Sequence, residues 1–315
     1  MSKLSPGLSV VVPVYNSSEV LPKLIERLTP VLELLQTSYE IIFVNDGSRD
    51  GSWDTVKQLA AKHPGVRGIC LMRNYGQHNA LLCGIRAARL DTVCTIDDDL
   101  QNPPEEIPKL LARLDEGFDV VYGAPQKETH SLWRNLASQA TKIALQEVMG
   151  AENARRVSAF RVFRTEIRNA FASYNSPYVS IDVLLTWGCM RFAVVVVKHD
   201  PRTIGVSNYS FRKLLVHALN MLTGFSTVPL RFASLMGFAF TVFGGLILLY
   251  VVGRYLMAGV VVAGFAFLAS IIAIFAGVQL FSLGIMGEYL ARMHFRTLDK
   301  PAYTVAEVEQ AASQS

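Results

Sequence analysis

The chain has 315 residues, of which 51% are hydrophobic and 18% charged, with a formal net charge of +4. That length accommodates one domain of ordinary size plus an appendage, and the apolar share exceeds what a wholly soluble protein carries. The small positive balance gives no argument for nucleic acid, and the scattered Cys70, Cys83, Cys94 and Cys189 exclude a zinc or redox motif and read as packing residues.

In chain order, Met1 to Pro6 contains no apolar core of signal-peptide length, so the large domain is not expected to be exported. Leu8 to Val14 is an apolar strand, Val20 to Leu35 a helix with Pro22 near its start, and Glu40 to Val44 a strand ending in Asn45, Asp46, Gly47 and Ser48. Trp53 to Lys62 reads as helix, Val66 to Leu71 as strand, Asn79 to Ala88 as helix and Thr92 to Ile96 as strand. A proline-started helix follows at Pro103 or Pro104, then strands at Asp119 to Tyr122 and Phe192 to Lys198, the last with four consecutive valines and expected to be fully buried. Alternation of this kind predicts an α/β fold, a mostly parallel sheet with flanking helices.

Two amphipathic stretches, Ser131 to Met149 and Tyr209 to Leu222, read either as interfacial helices at a bilayer or as helices packed on the sheet. Phe232 to Gly253 and Tyr255 to Gly287 are free of charge, which predicts a two-helix transmembrane hairpin, with a buried soluble helix pair as the alternative. Gly244, Gly245, Gly264, Gly277 and Gly284 suit close packing of helices in lipid. Arg212, Lys213 and Arg231 before the hairpin, and Arg292, Arg296 and Lys300 after it, outnumber Arg254 in the expected loop, which places both ends in the cytoplasm. The expected domains are 1–208 catalytic, 209–231 juxtamembrane, 232–290 transmembrane and 291–315 a cytoplasmic tail.

Chemistry concentrates at the strand ends. Asp97, Asp98 and Asp99 close an apolar strand and are followed by Leu100, Gln101, Asn102 and the two prolines. Asp97 and Asp99 can share one hard divalent cation with substrate phosphates, and Gln101 adds an amide oxygen; the competing reading is a helix-capping turn. Pro13, Tyr15, Asn16 and Glu19 close the first strand, Asp46 the second, and Arg73 and Gly76 the third. Tyr15 offers a ring for stacking, Asp46 an acceptor for ribose or base, and Arg73 a cation near phosphate, although Asp46-Gly47-Ser48 is equally an ordinary turn.

Taken together, Val11 to Asn16, Asn45 to Ser48, Arg73 to His78 and Asp97 to Glu106 resemble the polyprenyl-phosphate glycosyltransferases, and the resemblance continues through Arg202, Gly205, Ser207, Tyr209 and Ser210 to the paired spans and Gly287-Glu288-Tyr289. It implies a GT-A fold and inverting transfer of a sugar from a nucleotide-sugar, with uridine favoured and thymidine diphosphate sugars the alternative, to polyprenyl phosphate at the cytoplasmic face of a bacterial inner membrane. It also implies Mg2+ or Mn2+ on Asp97, Asp99 and Gln101, donor contacts from Pro13, Tyr15, Asn16, Glu19, Asp46, Arg73, Gly76, Asp97 and Asp98, and a homo-oligomer, a tetramer in many relatives. Arg134, Arg161, Arg202, Ser207, Asn208 and Tyr209 are the candidates for acceptor or phosphate binding.

Four positions depart from the family pattern: Ser17 where Glu is common, Asn45 for a first Asp, Asn208 for Lys, and Ala159 for an Asp proposed as base. That base role is therefore not carried over, and Asp182 is the alternative. Transfer to another membrane lipid, a non-catalytic nucleotide-sugar sensor and a pore are the competing functions.

Overall fold

The computed structural model describes residues 4–125, 156–200, 228–258, 264–298 and 300–310. The chain divides into two compact units, Met1–Ala218 with Asp299–Ser315, and Leu219–Leu298.

The first unit is built on an eight-stranded sheet in the order β7-β5-β6-β4-β1-β2-β3-β8. Its strands are β1 (Ser5–Val14), β2 (Tyr39–Asn45), β3 (Val66–Leu71), β4 (Leu90–Thr95), β5 (Val120–Pro125), β6 (Arg161–Arg164), β7 (Phe192–Val197) and β8 (Val305–Glu309). β1 pairs parallel with β2 and β4, β2 with β3, and β5 with β7. β6 is antiparallel to both β4 and β5, and β8 is antiparallel to β3. With β2 and β3 on one side of β1 and β4 on the other, the direction of winding reverses beside β1, which opens a crevice beyond the strand ends.

The valine run of β1 is buried on both faces, as a central parallel strand requires. Val10, Val12 and Val14 face a core formed with α1 (Leu21–Leu34), α2 (Ser52–Lys62) and α4 (Ile107–Asp115). α1 contributes Leu21, Leu24, Ile25, Leu28 and Leu32, the spacing of one helix face, and starts with a proline where no intrahelical N–H is needed. On the other face lie α3 (Gln77–Ala87), a 3-10 segment Thr165–Phe171 and α5 (Ile181–Thr186). α3 lies close to the sheet because of Gly84, where a Cβ would stand 2.3 Å from Val11 Cγ1. The Arg168 guanidinium donates to the carbonyls of Ile85, Arg86 and Ala88 at its C-terminal end.

Three expectations change. Among the described strands β7 lies at the edge, with Val196 half exposed, so four valines in a row did not signal full burial. β6 was not foreseen, because four residues with arginine at both ends show no period. The segment after the second long helix, expected as a tail, supplies β8.

The second unit consists of α6 (Val228–Ala258) and α7 (Phe265–Thr297), packed on each other. Pro229–Arg254 and Ile274–Ala291 are long and apolar enough to cross a membrane, and neither stretch is buried within the protein. Arg254, expected in the connecting loop, is inside α6. Gly244 lies where a Cβ would stand 3.0 Å from the Phe275 ring, whereas Gly245, Gly277 and Gly284 face open space, so only the first supports the expected close packing. Phe240 and Phe275 meet edge to face at 5.8 Å.

Candidate active site

The ends of β1, β2, β3 and β4 are tied to one another by polar contacts rather than merely sharing an edge. Beyond β1, exposed Tyr15 and Asn16 begin a loop in which Asn16 takes a positive φ of 54°. Asn16 N–H donates to Ser48 Oγ at 3.0 Å and its Oδ1 accepts Arg49 N–H at 2.9 Å, which fixes this loop to the β2 end. Ser17 and Ser18 N–H groups donate to Ser52 Oγ and Asp50 Oδ2. Glu19 is exposed, and Pro13 is buried within β1 rather than presented by the loop.

Asp46, buried at 3% exposure, accepts Tyr75 N–H at 2.7 Å and Gly76 N–H at 2.8 Å, one on each carboxylate oxygen. Burial raises its pKa above the usual carboxylate value and these two donors oppose the rise. Gly47 at φ 63° allows close backbone contact, since a Cβ there would lie 2.5 Å from the Arg73 carbonyl carbon. Asp46 thus holds the loop after β3, in which Arg73 stacks over the Tyr75 ring at 4.4 Å. Asn79 Nδ2 donates to Tyr75 O at 2.6 Å from the first turn of α3.

At the β4 end Asp97, Asp98 and Asp99 are half-buried. Burial, reinforced by repulsion from Asp99 and Asp98, pushes the Asp97 carboxyl up to about 7, while Arg161 and a hydrogen bond from Gln77 act against the rise. Gln77 Nε2 reaches Asp97 Oδ1 at 2.6 Å. Burial likewise raises Asp98 to about 6, opposed by Ser17 and by Tyr15 N–H, which lies 3.4 Å from Asp98 Oδ2. Asp99 Oδ1 accepts Gln101 N–H at 3.2 Å, the local turn that the capping alternative anticipated. Leu100, buried, is held at φ 59°, a conformation disfavoured for leucine, directly beside the acidic group. Gln101 O accepts Asp200 N–H at 2.9 Å.

Behind this group lies a buried polar network. Arg161, 1% exposed, donates through Nε to Thr95 Oγ1 at 3.1 Å and pairs through Nη1 with Asp182 Oδ1, which also accepts the Tyr122 hydroxyl at 3.3 Å. This arrangement bears on two expectations. Arg161 points into the protein and holds Asp182, so it is not presented to an incoming phosphate; Asp182, the alternative base, is buried and paired with Arg161. Arg134, Arg202, Ser207, Asn208 and Tyr209, together with both amphipathic stretches, lie outside the described residues.

Sequence reasoning missed the roles of Gln77, Ser17 and Ser48. Gln77 stands next to the positive-φ Gly76 in a motif already singled out, and its adjacency was the available signal. The four cysteines are unpaired; burial raises Cys83 to about 12, consistent with a packing role.

This sheet order, with a crevice beside β1 and carboxylates closing β4, defines a GT-A fold. Mannosyl-3-phosphoglycerate synthase from Rubrobacter xylanophilus shares it with a TM-score of 0.52 at 20% identity, over 68% of this chain and 72% of that one. Glucosyl-3-phosphoglycerate synthase from Mycobacterium tuberculosis aligns with a TM-score of 0.50 at 19% identity, over 69% and 80%. Residues 9–171 match the family described as glycosyl transferase family 2. Undecaprenyl-phosphate 4-deoxy-4-formamido-L-arabinose transferase of Pseudomonas paraeruginosa is 36% identical over 309 residues, 97% of this chain and 91% of the relative. The protein of the same name from Enterobacter sp. is 36% identical over 312 residues, 98% and 95%. The chain belongs to glycosyl transferase family 2 and is a glycosyltransferase.

Proposed function

We propose that this enzyme transfers one sugar, with inversion, from a uridine-linked nucleotide-sugar to polyprenyl phosphate at the cytoplasmic face of the membrane. The observation that carries the reading is the half-buried Asp97–Asp98–Asp99 group, three adjacent carboxylates in which burial and then the neighbouring charges raise the Asp97 pKa, joined by hydrogen bonds to the loops after β1 and β3. Full-length similarity to undecaprenyl-phosphate sugar transferases and two helices of membrane-spanning length support the lipid acceptor.

The acidic group fits a divalent cation, magnesium or manganese. Such a cation takes most of its oxygens from water and a diphosphate and asks for few carboxylates from the protein. Asp97 and Asp99 would hold it, with Gln101 beside them. When bound, the metal supplies Lewis-acid stabilisation of the departing diphosphate. Tyr15, Asn16 and Arg73 are exposed around the same edge and serve the nucleoside and diphosphate, while Asp46 acts by fixing the loop that carries Arg73 and Gly76. A lipid phosphate is already anionic at neutral pH, so the reaction asks more of alignment than of a general base. The pairing of Asp182 with Arg161 agrees with that economy.

The test is a nucleotide-sugar screen with membrane-embedded protein, undecaprenyl phosphate and manganese or magnesium. The expected product is a lipid-linked sugar phosphate labile to mild acid. An acid-stable glycolipid would move the acceptor to another lipid class, and failure to release nucleoside diphosphate from any donor would overturn the reading.

A further inference from the structure

The strand that closes the sheet follows the apolar hairpin in sequence and begins against the loop that carries the donor-site residues. β8 pairs with β3 from Gly68 opposite Glu309 to Leu71 opposite Val305, with an irregularity between Cys70 and Leu71. At that irregularity the pairing extends beyond β3, because Met72 N–H donates to Thr304 O at 2.9 Å. Thr304 also lies beside the Tyr75 phenol, whose pKa it lowers. Two further contacts anchor the segment itself: Trp53 Nε1 donates to Glu307 Oε2 at 2.8 Å and Arg89 to Gln310 Oε1 at 3.2 Å; Ala302, just before it, is 1% exposed. Tyr303 lies beside Arg86 and Cys83 of α3, with the guanidinium 5.9 Å from its ring centroid.

Residues 72–77 are therefore gripped from two directions. Asp46 takes the Tyr75 and Gly76 N–H groups from the β2 side, and Thr304 O takes Met72 N–H from the β8 side, with Thr304 beside the Tyr75 phenol. Between those grips the loop presents Arg73 and delivers Gln77 to Asp97. A loop of exposed residues with no apolar anchor of its own opens locally at little cost unless its backbone is held from outside. Nothing else among the described contacts holds Met72, which is 64% exposed.

We infer that the segment from Tyr303 to Gln310 is a positioning element of the active site, whose function is to hold residues 72–77 in the donor-binding conformation. The inference rests on the proposed donor site at the strand ends. It gives the post-hairpin chain a role in donor affinity rather than in chemistry.

The experiment uses the full-length chain in lipid nanodiscs, with Val305→Pro/Val308→Pro to release β8, Thr304→Val to remove only the hydroxyl and Thr304→Ser to keep it. Amide exchange of residues 72–77 is expected to accelerate by about tenfold or more in the double proline variant. Its KM for the nucleotide-sugar is expected to rise about tenfold, with kcat and the KM for lipid changing less than about twofold. Thr304→Val should show a smaller rise in donor KM that Thr304→Ser reverses, and this pair decides the matter if the proline variant does not fold. Unchanged exchange at 72–77 when β8 is released, or an unchanged donor KM when that loop has opened, overturns the inference. If wild-type protein turns over no nucleotide-sugar, the proposed function fails, while exchange and calorimetry with uridine diphosphate and manganese still decide whether β8 holds the loop.

Discussion

The ends of β2 and β4 both present carboxylates, and the protein treats them in opposite ways. Asp46 is buried and fully engaged, each oxygen on a backbone N–H, so its charge is spent on architecture. Asp97 and Asp98 are less deeply placed but less well compensated: burial raises both pKa values, and the neighbouring aspartates add repulsion. A site built to receive a cation looks like the second, and a structural clamp like the first.

Substitution separates the two most strongly. Asp97→Asn or Asp99→Asn should lower turnover by roughly 10²–10³-fold or more, the scale seen when a main electrostatic group is removed. Thermal unfolding should show the Asp97→Asn protein at least as stable as wild type, because repulsion is relieved. A loss of stability in that variant would contradict the contrast.

Arg161 sharpens the comparison, since it is the cation that moderates Asp97 from behind. Arg161→Met leaves Asp182 buried without its partner, and removing one member of such a pair costs about 3–5 kcal/mol. Chemical denaturation should register that loss, and titration of the remaining carboxylates should place Asp97 higher than in wild type.

Asp46→Ala should cost less, about 1–3 kcal/mol, by leaving the Tyr75 and Gly76 N–H groups without acceptors. Hydrogen exchange at those amides should accelerate and the donor KM should rise, whereas Asp46→Asn, which keeps one acceptor oxygen, should do less. Equal damage to kcat in both variants would assign Asp46 to the chemistry instead.

The smallest effect is in pH dependence. The folded protein retains protons on Asp97 and Asp98 at pH values where the unfolded chain has released them. Metal-free stability should therefore be fullest below the ordinary value of 3.8 and should decline as pH rises through about 6 and about 7. Unfolding curves in chelator between about pH 5 and about pH 8 should show the decline, and Asp97→Asn should flatten it. Saturating manganese should reverse the trend in wild type.

Much of the first unit was legible because its strands are unbroken β-branched runs and its helices open with proline or close with a break in period. Val66 to Leu71 was read to the residue, and β1, β2, α1 and α2 within a few residues. Legibility failed where the determinant is tertiary. β6 and β8 are short, carry charge and gain their conformation from the strands they join. The valines of β7 do not reveal that it lies at the edge of the described sheet. At the site, the aspartates are visible as a motif, but nothing in a linear chain shows that Arg161 turns inward towards Asp182, twenty-one positions later and on a different element. Gln77 was within a recognised motif, and only the fold shows that its amide reaches Asp97.

The order of synthesis gives β8 one more consequence. Every residue of α6 and α7 leaves the ribosome before Val305 does, so the backbone edge of β3 stands bare until the apolar hairpin has been made in full. The nascent globule therefore spends that interval with an open flank on which any extended peptide can settle. Only after both long helices does the chain supply the strand that belongs there.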